Sequence, residues 1–220
     1  MNPDELCGKF PRLYHMAHVD SWPSIQQHGL LSTSALLDLF EKNGDERHRI
    51  ELYHRPDSIP IAHPVYGCAV IRDQKPMSDK GLAAALEDGL RPEDWYRRLN
   101  SRVFFWLTQE RLNTMMNARA YRDQRHTILI VDTALLVHRH QERIVLSPMN
   151  SGCTKPFPHK RGEETFRRIA EYPYESRRRS KDPIVELAVD YGVQDIVDFV
   201  IEVREVGFKT DPTIIWRREE

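Results

Sequence analysis

The chain has 220 residues, of which 40% are hydrophobic and 30% charged, and its 32 basic and 33 acidic residues leave a formal net charge of -1. This composition is typical of a folded domain, and the balanced charge excludes a global positive field that would hold the protein on a polyanion. Its three cysteines form no CxxC pair and it has no long apolar run, so we expect one cytoplasmic domain over 1–220, with no zinc ribbon, export or membrane insertion.

The N-terminal half of the sequence predicts short strands that alternate with helices. An apolar run at 12–17 favours a strand, after which Ser21 offers a helix cap and Gly29 a helix stop. Ser32 can cap a second helix that Asn43-Gly44 ends. Further along, the sequence predicts a long surface connection over 45–64, a buried strand over 65–71 and helices over 80–86 and 92–99.

The C-terminal half is richer in strand signals. The aromatic run 103–107 is the strongest of them, and Thr108 can cap a following helix with apolar residues up to Ala120. Further strands are expected over 126–131, 144–146, 184–189 and 197–203, and the segment 148–179 is interpreted as a long loop. The two halves together predict an α+β fold.

One segment near the start of the chain has a family-like pattern. Tyr14 and His15 lie in the first predicted strand, the small residue Ala17 follows two positions later, and the next helix closes in Gly29-Leu30. This segment resembles the opening of the ADP-ribosyltransferase superfamily, and especially the DarT family of nucleic-acid-modifying toxins. The resemblance implies an α+β fold with an ADP-ribosyltransferase-like split β-sheet core, flanking helices and a long target-recognition loop.

The resemblance also implies that this segment binds NAD+. The residues concerned are Tyr14, His15, Met16, Ala17 and Ser21. A histidine at a strand end can hydrogen-bond a ribose hydroxyl, and the backbone beyond it can pair with a planar carboxamide such as nicotinamide. The family commonly has Thr where Ala17 stands and Asn where Ser21 stands, so Ala17 cannot supply a side-chain hydroxyl to the ligand.

Further landmarks follow in the order that the family shows. The resemblance implies that Arg72 is a catalytic-site arginine that contacts the phosphates of NAD+, a task suited to a planar guanidinium fork. It also implies that the aromatic strand with Phe105 borders the nicotinamide pocket. Tyr121, at the end of the following Met-rich helix, is a candidate pocket lid and cofactor contact. From the residues alone, a surface salt bridge for Arg72 and core packing for the aromatic side chains are equally open.

Glu186 is the last landmark in the chain. Val185 and Leu187 flank it in a predicted strand, so its side chain projects onto the opposite face, where a carboxylate is costly unless a function requires it. By resemblance Glu186 is the catalytic carboxylate, which holds the nicotinamide ribose and stabilises the oxocarbenium-like state as nicotinamide leaves. NAD+ is then the co-substrate and no metal is needed. The alternative is an edge-strand glutamate that faces water.

The loop before Glu186 is implied to select the acceptor. Its basic residues are Lys155, Lys160, Arg161, Arg167, Arg168, Arg177, Arg178, Arg179 and Lys181, of which Arg177, Arg178, Arg179 and Lys181 are predicted to bind the acceptor. Interleaved aromatic residues, which are Phe157, Phe166, Tyr172 and Tyr174, can stack on unpaired bases. We therefore predict a DNA or RNA acceptor and, by resemblance, a toxin or phage-defence effector with an antitoxin or ADP-ribosylhydrolase partner.

Other functional classes stay open at this point. The acceptor can be a protein side chain, or the chain can be an inactive module that binds NAD+ or nucleic acid, as the departures at Ala17 and Ser21 allow. The tRNA 2′-phosphotransferases share a Tyr-His opening, but their phosphate-binding basic residues cannot be placed here. A metal-dependent nuclease is disfavoured because the ten histidines form no HxxxH or HExxH pair.

Overall fold

A computed structural model describes residues 1–219 of the protein. The strands are β1 (Arg12–His18), β2 (Leu30–Leu31), β3 (Ile59–His63), β4 (Gly67–Ile71), β5 (Arg102–Trp106), β6 (His126–Asp132), β7 (Ile144–Ser147), β8 (Arg167–Arg168), β9 (Glu186–Asp190), β10 (Gly192–Val193), β11 (Val200–Val206) and β12 (Thr213–Arg217). The helices are α1 (Pro3–Lys9), α2 (Trp22–His28), α3 (Thr33–Leu39), α4 (Gly44–Leu52), α5 (Asp79–Ala85), α6 (Pro92–Asn100), α7 (Gln109–Met116), α8 (Thr133–His140) and α9 (Tyr174–Arg177).

An eight-stranded antiparallel sheet forms the centre of the molecule. Its strand order is β12-β11-β6-β1-β5-β9-β7-β8, and two small sheets pair β10 with β2 and β3 with β4. Helices flank the large sheet, so the predicted α+β class is confirmed. None of the helices within residues 1–219 combines the length and the apolar character needed to cross a lipid bilayer.

The large sheet is almost divided between β1 and β5. Each of these strands pairs extensively with its outer neighbour, but the two pair with each other only at Tyr14 and Trp106. On one side of that pair, the ring of His15 connects the two strands through a 2.8 Å hydrogen bond between Nδ1 and the Phe104 carbonyl oxygen. The predicted split of the sheet is therefore confirmed, and it opens beside the Tyr-His pair of the first strand.

The two faces of the sheet are covered by different layers. Alternate residues of the central strands, among them Leu129 and Leu187, face the main core, which α1, α2 and α8 close. On the opposite face, α6 and α7 cover the sheet through smaller apolar clusters that include Trp95 and Leu112. Glu186 is paired with Trp106 of β5, and the next residue along β9, Leu187, faces the main core. Because side chains alternate along a strand, Glu186 lies on this second face.

Capping residues and one glycine fix the element ends near the split. Thr108 caps α7 and Ser32 caps α3, each by accepting a hydrogen bond from a backbone N–H, as the sequence predicts. Ser21 stands at the N-cap of α2 without a side-chain capping bond. Gly29 ends α2 with a φ of 85°, and a Cβ there would lie 2.4 Å from the Cα of Gln194, so this position requires glycine.

Two predictions for the segment 45–71 are wrong. Residues 45–64 contain α4 and β3 rather than one long connection. The helix α4 buries only Ile50 and gains side-chain pairs such as Arg47 with Glu51, so it has no apolar periodicity that the sequence could reveal. The strand predicted over 65–71 is β4, of which only Ile71 is buried, because the β3–β4 hairpin is separate from the large sheet.

Strand prediction succeeds better in the C-terminal half. The strands β5, β6, β7, β9 and β11 lie within a few residues of their predicted positions, and 148–179 is mostly irregular, with only β8, α9 and short 3-10 turns. The elements additional to those that the sequence predicts include α8, which Asp132 caps at the end of β6, and the edge strand β12. The long irregular segment therefore lies directly before the strand that begins with Glu186.

Candidate active site

Glu186 begins β9 on the face that α6 and α7 cover, opposite Trp106 of β5. The residue is 4% exposed, and its Oε2 accepts a 3.0 Å hydrogen bond from the backbone N–H of Ser151. Burial raises the pKa of Glu186 to about 7, although hydrogen bonding to Ser151 and the charges of Arg161 and Arg111 lower it. The site thus contains a carboxyl group that ionises close to neutral pH.

A short buried loop holds the Glu186 carboxyl in place. The carbonyl oxygen of Ser151 accepts hydrogen bonds from Trp95 Nε1 (3.2 Å) and Arg161 Nη1 (2.8 Å). The Ser151 hydroxyl lies close enough to Glu186 to lower its pKa, but it has no partner in hydrogen-bond geometry among residues 1–219. Hydrogen bonds therefore fix both the N–H and the carbonyl group of Ser151.

His15 lies at the split of the sheet and is neutral at physiological pH. Burial lowers its pKa to about 4, the hydrogen bond to Phe104 raises it, and the charge of Arg72 lowers it. Because the Phe104 carbonyl oxygen can only accept, Nδ1 must carry the ring proton. The ring therefore offers Nε2 as a hydrogen-bond acceptor.

Arg72 directly follows β4 and connects the hairpin to β1. Its Nη1 donates to the Met16 carbonyl oxygen (2.9 Å), and its guanidinium lies 5.1 Å from the centroid of the Tyr121 ring. The Tyr121 hydroxyl donates to the Asp73 carboxylate (2.7 Å). Burial lowers the pKa of Arg72. Because a guanidinium has several N–H donors, Arg72 keeps donors for an anionic ligand.

Two adjoining clefts bring most of the predicted site residues together. The smaller has a volume of about 240 Å³, and its lining includes Glu186, His15, Met16, Arg72, Phe105, Tyr121 and Ser151. The larger, of about 750 Å³, extends past Ala17 and Ser21 to the β3–β4 hairpin. The residues that line both are His15, Met16, Thr33, Arg72, Arg102 and Phe104. We refer to the two clefts together as the groove; it reaches Glu186 at one end.

Comparison with known proteins identifies the family. The profile of a family of unknown function, DUF7002, matches residues 11–200. The chain belongs to DUF7002. Among solved structures, this DUF7002 chain is similar to Thermosipho africanus DarTG in complex with ADP-ribose, with 14% sequence identity and a TM-score of 0.46. The match covers 88% of this chain and 43% of that chain, so the DUF7002 chain spans less than half of the DarTG length. No curated protein matches it.

The predicted cofactor residues of the DUF7002 chain have different surroundings. Ala17 and Ser21 line the larger cleft, whereas Tyr14 packs with Trp106 on the α7 side of the sheet, outside both clefts. Phe105 belongs to the main core and presents its ring to the edge of the His15 ring, with 5.7 Å between centroids. No group of three or more His, Cys, Asp or Glu residues suited to a metal ion occurs within residues 1–219.

A third cleft, of about 710 Å³, adjoins the smaller one through Pro76, Trp106, Met115 and Asn150. Its polar lining includes Arg111, Lys155, His159, Lys160 and Arg177. Among the four predicted acceptor residues, only Arg177 lines it. Arg179 is exposed, while Arg178 pairs with Glu175 (3.1 Å) and Lys181 with Glu110 (3.2 Å). We call this space the basic cleft.

The long loop is less free than its sequence suggests. Arg161 is buried, Arg168 pairs with Asp190 (2.9 Å), and Lys160 pairs with Glu87 (2.9 Å), so much of the local positive charge is neutralised or hidden. Its aromatic residues also differ from the prediction. Phe166 and Tyr174 are partly buried and Tyr172 is fully buried, whereas Phe157 is 78% exposed beside the basic cleft.

Several groove residues were not identified from the sequence. Arg55 is buried, donates from Nε to the Arg72 carbonyl oxygen (3.2 Å) and lines the smaller cleft. Ser151 contacts Glu186 from a loop 35 residues earlier. The sequence showed Arg55 only as part of a turn with proline, and Ser151 only as part of a polar loop. Neither position has an apolar pattern or motif that distinguishes it from a solvent-exposed turn.

The raised pKa of Glu186 predicts an unusual pH dependence of stability. Because folding raises this pKa from 4.5 to about 7, the folded protein keeps a proton that the unfolded chain has lost, and the free energy of unfolding falls as the pH rises through this interval. We expect Glu186→Gln to remove this fall and to be more stable than the wild type at pH 8 by on the order of 3 kcal/mol. Urea unfolding between pH 4.5 and 8 measures the difference.

Glu202 provides a matched control, since it is also buried but lies outside the groove. Burial raises its pKa, but hydrogen bonds from Arg217 and Arg204 outweigh this and lower it. Its ionised form therefore stabilises the fold above the unfolded pKa, and Glu202→Gln should destabilise the protein at pH 8. If Glu186→Gln and Glu202→Gln destabilise the protein equally at pH 8, the raised pKa assigned to Glu186 is wrong.

Proposed function

We propose that this protein is an NAD+-dependent ADP-ribosyltransferase with Glu186 as its catalytic carboxylate. The observation that carries the proposal is that a buried carboxyl with a raised pKa and a neutral histidine line one cleft at the split of the sheet. Perturbed titratable groups that converge in a cleft are typical of catalytic sites. The order of the landmarks in the sequence, from the Tyr-His pair to Glu186, supports the same function.

The groove offers complementary groups to each part of NAD+. His15 can accept a hydrogen bond from a ribose hydroxyl through Nε2, and the remaining N–H donors of Arg72 suit the pyrophosphate. The backbone around Met16 and Ala17 can pair with the nicotinamide carboxamide, which requires no hydroxyl at position 17. The larger cleft then takes the adenosine half, and the smaller one places the nicotinamide ribose beside Glu186.

The chemistry is a substitution at C1′ of the nicotinamide ribose. The C1′–N bond breaks and its electron pair leaves with nicotinamide, which becomes neutral, while the Glu186 carboxylate stabilises the positive charge on the sugar. A lone pair of the acceptor forms the new bond to C1′, and the acceptor's proton passes to Glu186 and then to solvent. The products are nicotinamide, the ADP-ribosylated acceptor and a proton, so neither a metal nor a redox partner takes part.

The basic cleft is the proposed acceptor site, and the proposed acceptor is a nucleic acid. Arg177 and Lys155 supply positive charge beside the Glu186 cleft, and exposed Phe157 offers a surface on which a base can stack. Trp106 lines both this cleft and the Glu186 cleft, so an acceptor base there is near the reacting sugar. A toxin or phage-defence role, with an antitoxin or an ADP-ribosylhydrolase as partner, is the biological setting that this chemistry suits.

Arg177 tests the acceptor site separately from the NAD+ site. We expect Arg177→Gln to weaken binding of single-stranded DNA or RNA roughly tenfold and to reduce the slope of log affinity against log salt by about one, because one phosphate contact is lost. Affinity for NAD+ should not change. Arg178→Gln is the matched control, since Arg178 lies outside the cleft and pairs with Glu175. Equal losses in the two variants would exclude this cleft as the acceptor site.

Label transfer from NAD+ tests the proposed function and its acceptor together. The protein is incubated with NAD+ labelled in the adenosine half and with single-stranded DNA, RNA or a protein extract in separate reactions. The proposal expects label on a nucleic acid, and mass spectrometry then identifies the modified base. Label on protein alone would keep the transferase and replace the acceptor with a protein side chain. Absence of label from every acceptor would remove the transferase proposal.

An NAD+-binding module without turnover is the second candidate. It is favoured by the raised pKa of Glu186, which leaves a large fraction of the carboxyl protonated and uncharged at neutral pH. In that case NAD+ raises the melting temperature of the protein without release of nicotinamide, and Glu186→Ala leaves the affinity for NAD+ nearly unchanged. Nicotinamide release that increases as the pH rises through 7 would favour the enzyme instead.

A further inference from the structure

Arg161, in the long loop before β9, is buried as deeply as an apolar core residue, at 1% exposure. All three guanidinium nitrogens donate to backbone carbonyl oxygens: Nε to His159 (3.0 Å), Nη1 to Ser151 (2.8 Å) and Nη2 to Cys153 (2.8 Å). The guanidinium also lies 5.6 Å from the ring centroid of Trp95. This one side chain therefore connects the backbone at Ser151, Cys153 and His159 through hydrogen bonds.

Arg161 also brings a positive charge into this buried position. Within residues 1–219 it has no carboxylate oxygen at salt-bridge distance, in contrast to Arg168 and Arg102, which both pair with Asp190. A buried cation without an ionic partner is costly, and the three hydrogen bonds to carbonyl oxygens offset part of that cost. Burial lowers the pKa of Arg161, while the charges of Cys153 and then Glu186 raise it. Arg161 and Glu186 therefore stabilise each other's charges.

Ser151 connects Arg161 to the proposed catalytic carboxylate. Its carbonyl oxygen accepts from Arg161 and Trp95, and its N–H donates to Glu186 Oε2. A rotation of the loop at this residue would break both contacts together. The position of the Glu186 carboxyl thus depends on a backbone that Arg161 fixes.

We propose that Arg161 is the positioning residue of this site: it fixes the 150–153 loop, so that the Ser151 N–H holds the Glu186 carboxylate in the groove. The proposal rests on the proposed function, in which Glu186 is catalytic. The place of Arg161 in the basic loop suggests a contact with the acceptor. In this proposal it is instead a buried support for the loop.

The other groups that face Glu186 have different roles. Arg111 of α7 also favours the ionised form, but it is ion-paired with Asp182 and its influence is smaller than that of Arg161. Ser151 contributes its N–H, and Trp106 is the register partner of Glu186 in the neighbouring strand. Loss of the Arg161 charge and of the loop conformation should therefore change the ionisation of Glu186 substantially.

Direct titration of Glu186 tests the proposal without the need for any enzymatic activity. Carbon-13 NMR of protein labelled at the glutamate Cδ follows each carboxyl, and the Glu186 signal is the one missing from Glu186→Gln. We expect Arg161→Gln to raise the pKa of Glu186 by about one unit, and Arg161→Lys, which keeps the charge but loses the fork, to raise it less. A pKa that stays within about 0.3 of the wild-type value in Arg161→Gln would overturn the proposal.

Arg143→Gln is the matched control. Arg143 also holds backbone carbonyl oxygens, those of Asp190 (3.1 Å) and Gly192 (2.8 Å), but it lies outside the groove. This variant should lose stability while the Glu186 titration stays unchanged. If Arg161→Gln does not fold, Arg161→Lys decides: a smaller upward shift supports the proposal and no shift overturns it.

The pH profile of nicotinamide release provides the second readout. In Arg161→Gln the acidic limb of kcat should move to higher pH by the same amount as the Glu186 titration, with rates recovered at high pH and with KM for NAD+ unchanged. A pH-independent loss of kcat would show a merely structural role. If the NMR shift is observed but the wild type releases no nicotinamide, the proposed function fails while the positioning role stands.

Discussion

Glu186→Gln is expected to lower the rate of nicotinamide release by roughly 10²- to 10³-fold, the size of effect seen when one preorganised electrostatic contact to a transition state is removed. The amide has nearly the shape of the carboxylate, and its oxygen can still accept from the Ser151 N–H. It cannot balance the charge on the ribose or take up the acceptor's proton. The rate should therefore fall while NAD+ binding and the fold persist, which nicotinamide quantification and circular dichroism can measure.

Glu202→Gln again serves as the control, because it removes a second buried carboxylate that has no contact with the groove. When both variants are assayed well below their melting temperatures, Glu202→Gln should release nicotinamide at a rate close to that of the wild type. If Glu186→Gln keeps more than roughly a tenth of the wild-type rate, Glu186 does not supply the expected electrostatic contribution.

Arg72→Lys is expected to raise KM for NAD+ by roughly tenfold or more, with a smaller change in kcat. Lysine keeps the charge but loses the planar fork that binds a phosphate while also donating to the Met16 carbonyl oxygen. It also loses the stacking of the guanidinium on Tyr121. The free energy of unfolding should fall by about 1–2 kcal/mol for these two contacts together. Steady-state kinetics and urea unfolding separate the two effects.

Arg47→Lys is the control for the arginine substitution. Arg47 is partly buried, as Arg72 is, and it is ion-paired with Glu51 at 3.2 Å, but it belongs to α4 and lies away from the groove. Arg47→Lys should lower the free energy of unfolding slightly and leave KM for NAD+ unchanged. An unchanged KM in Arg72→Lys would mean that the phosphates of NAD+ bind elsewhere.

The parts of the site that the sequence predicts are those with local signals. β1, β5 and β9 have strong apolar patterns, and the apolar residues on either side of Glu186, Val185 and Leu187, already place its side chain on the opposite face. Arg72 stands at the end of an apolar run, and the family resemblance indicates both His15 and Arg72. The structure adds that these residues and Glu186, which are far apart in the sequence, line one groove.

The parts that the sequence could not predict depend on long-range pairing. Whether an arginine of the long loop faces solvent is decided by distant partners, such as Asp190 for Arg168 and the Ser151 carbonyl oxygen for Arg161. A count of charges therefore overestimates the positive surface of this loop. α4 escaped prediction because its stability comes from polar pairs and a single buried side chain, Ile50, which leave no apolar period.

Proton NMR of NAD+ incubated with the protein tests the central claim most directly. The spectrum distinguishes free nicotinamide from NAD+, and it is recorded with single-stranded DNA, RNA or a protein extract as the acceptor. We predict that the wild type releases one nicotinamide for each ADP-ribosyl group recovered on the acceptor, and that Glu186→Gln releases almost none. Intact NAD+ in every wild-type reaction, or equal release by the two proteins, would contradict the assignment of Glu186 as the catalytic carboxylate.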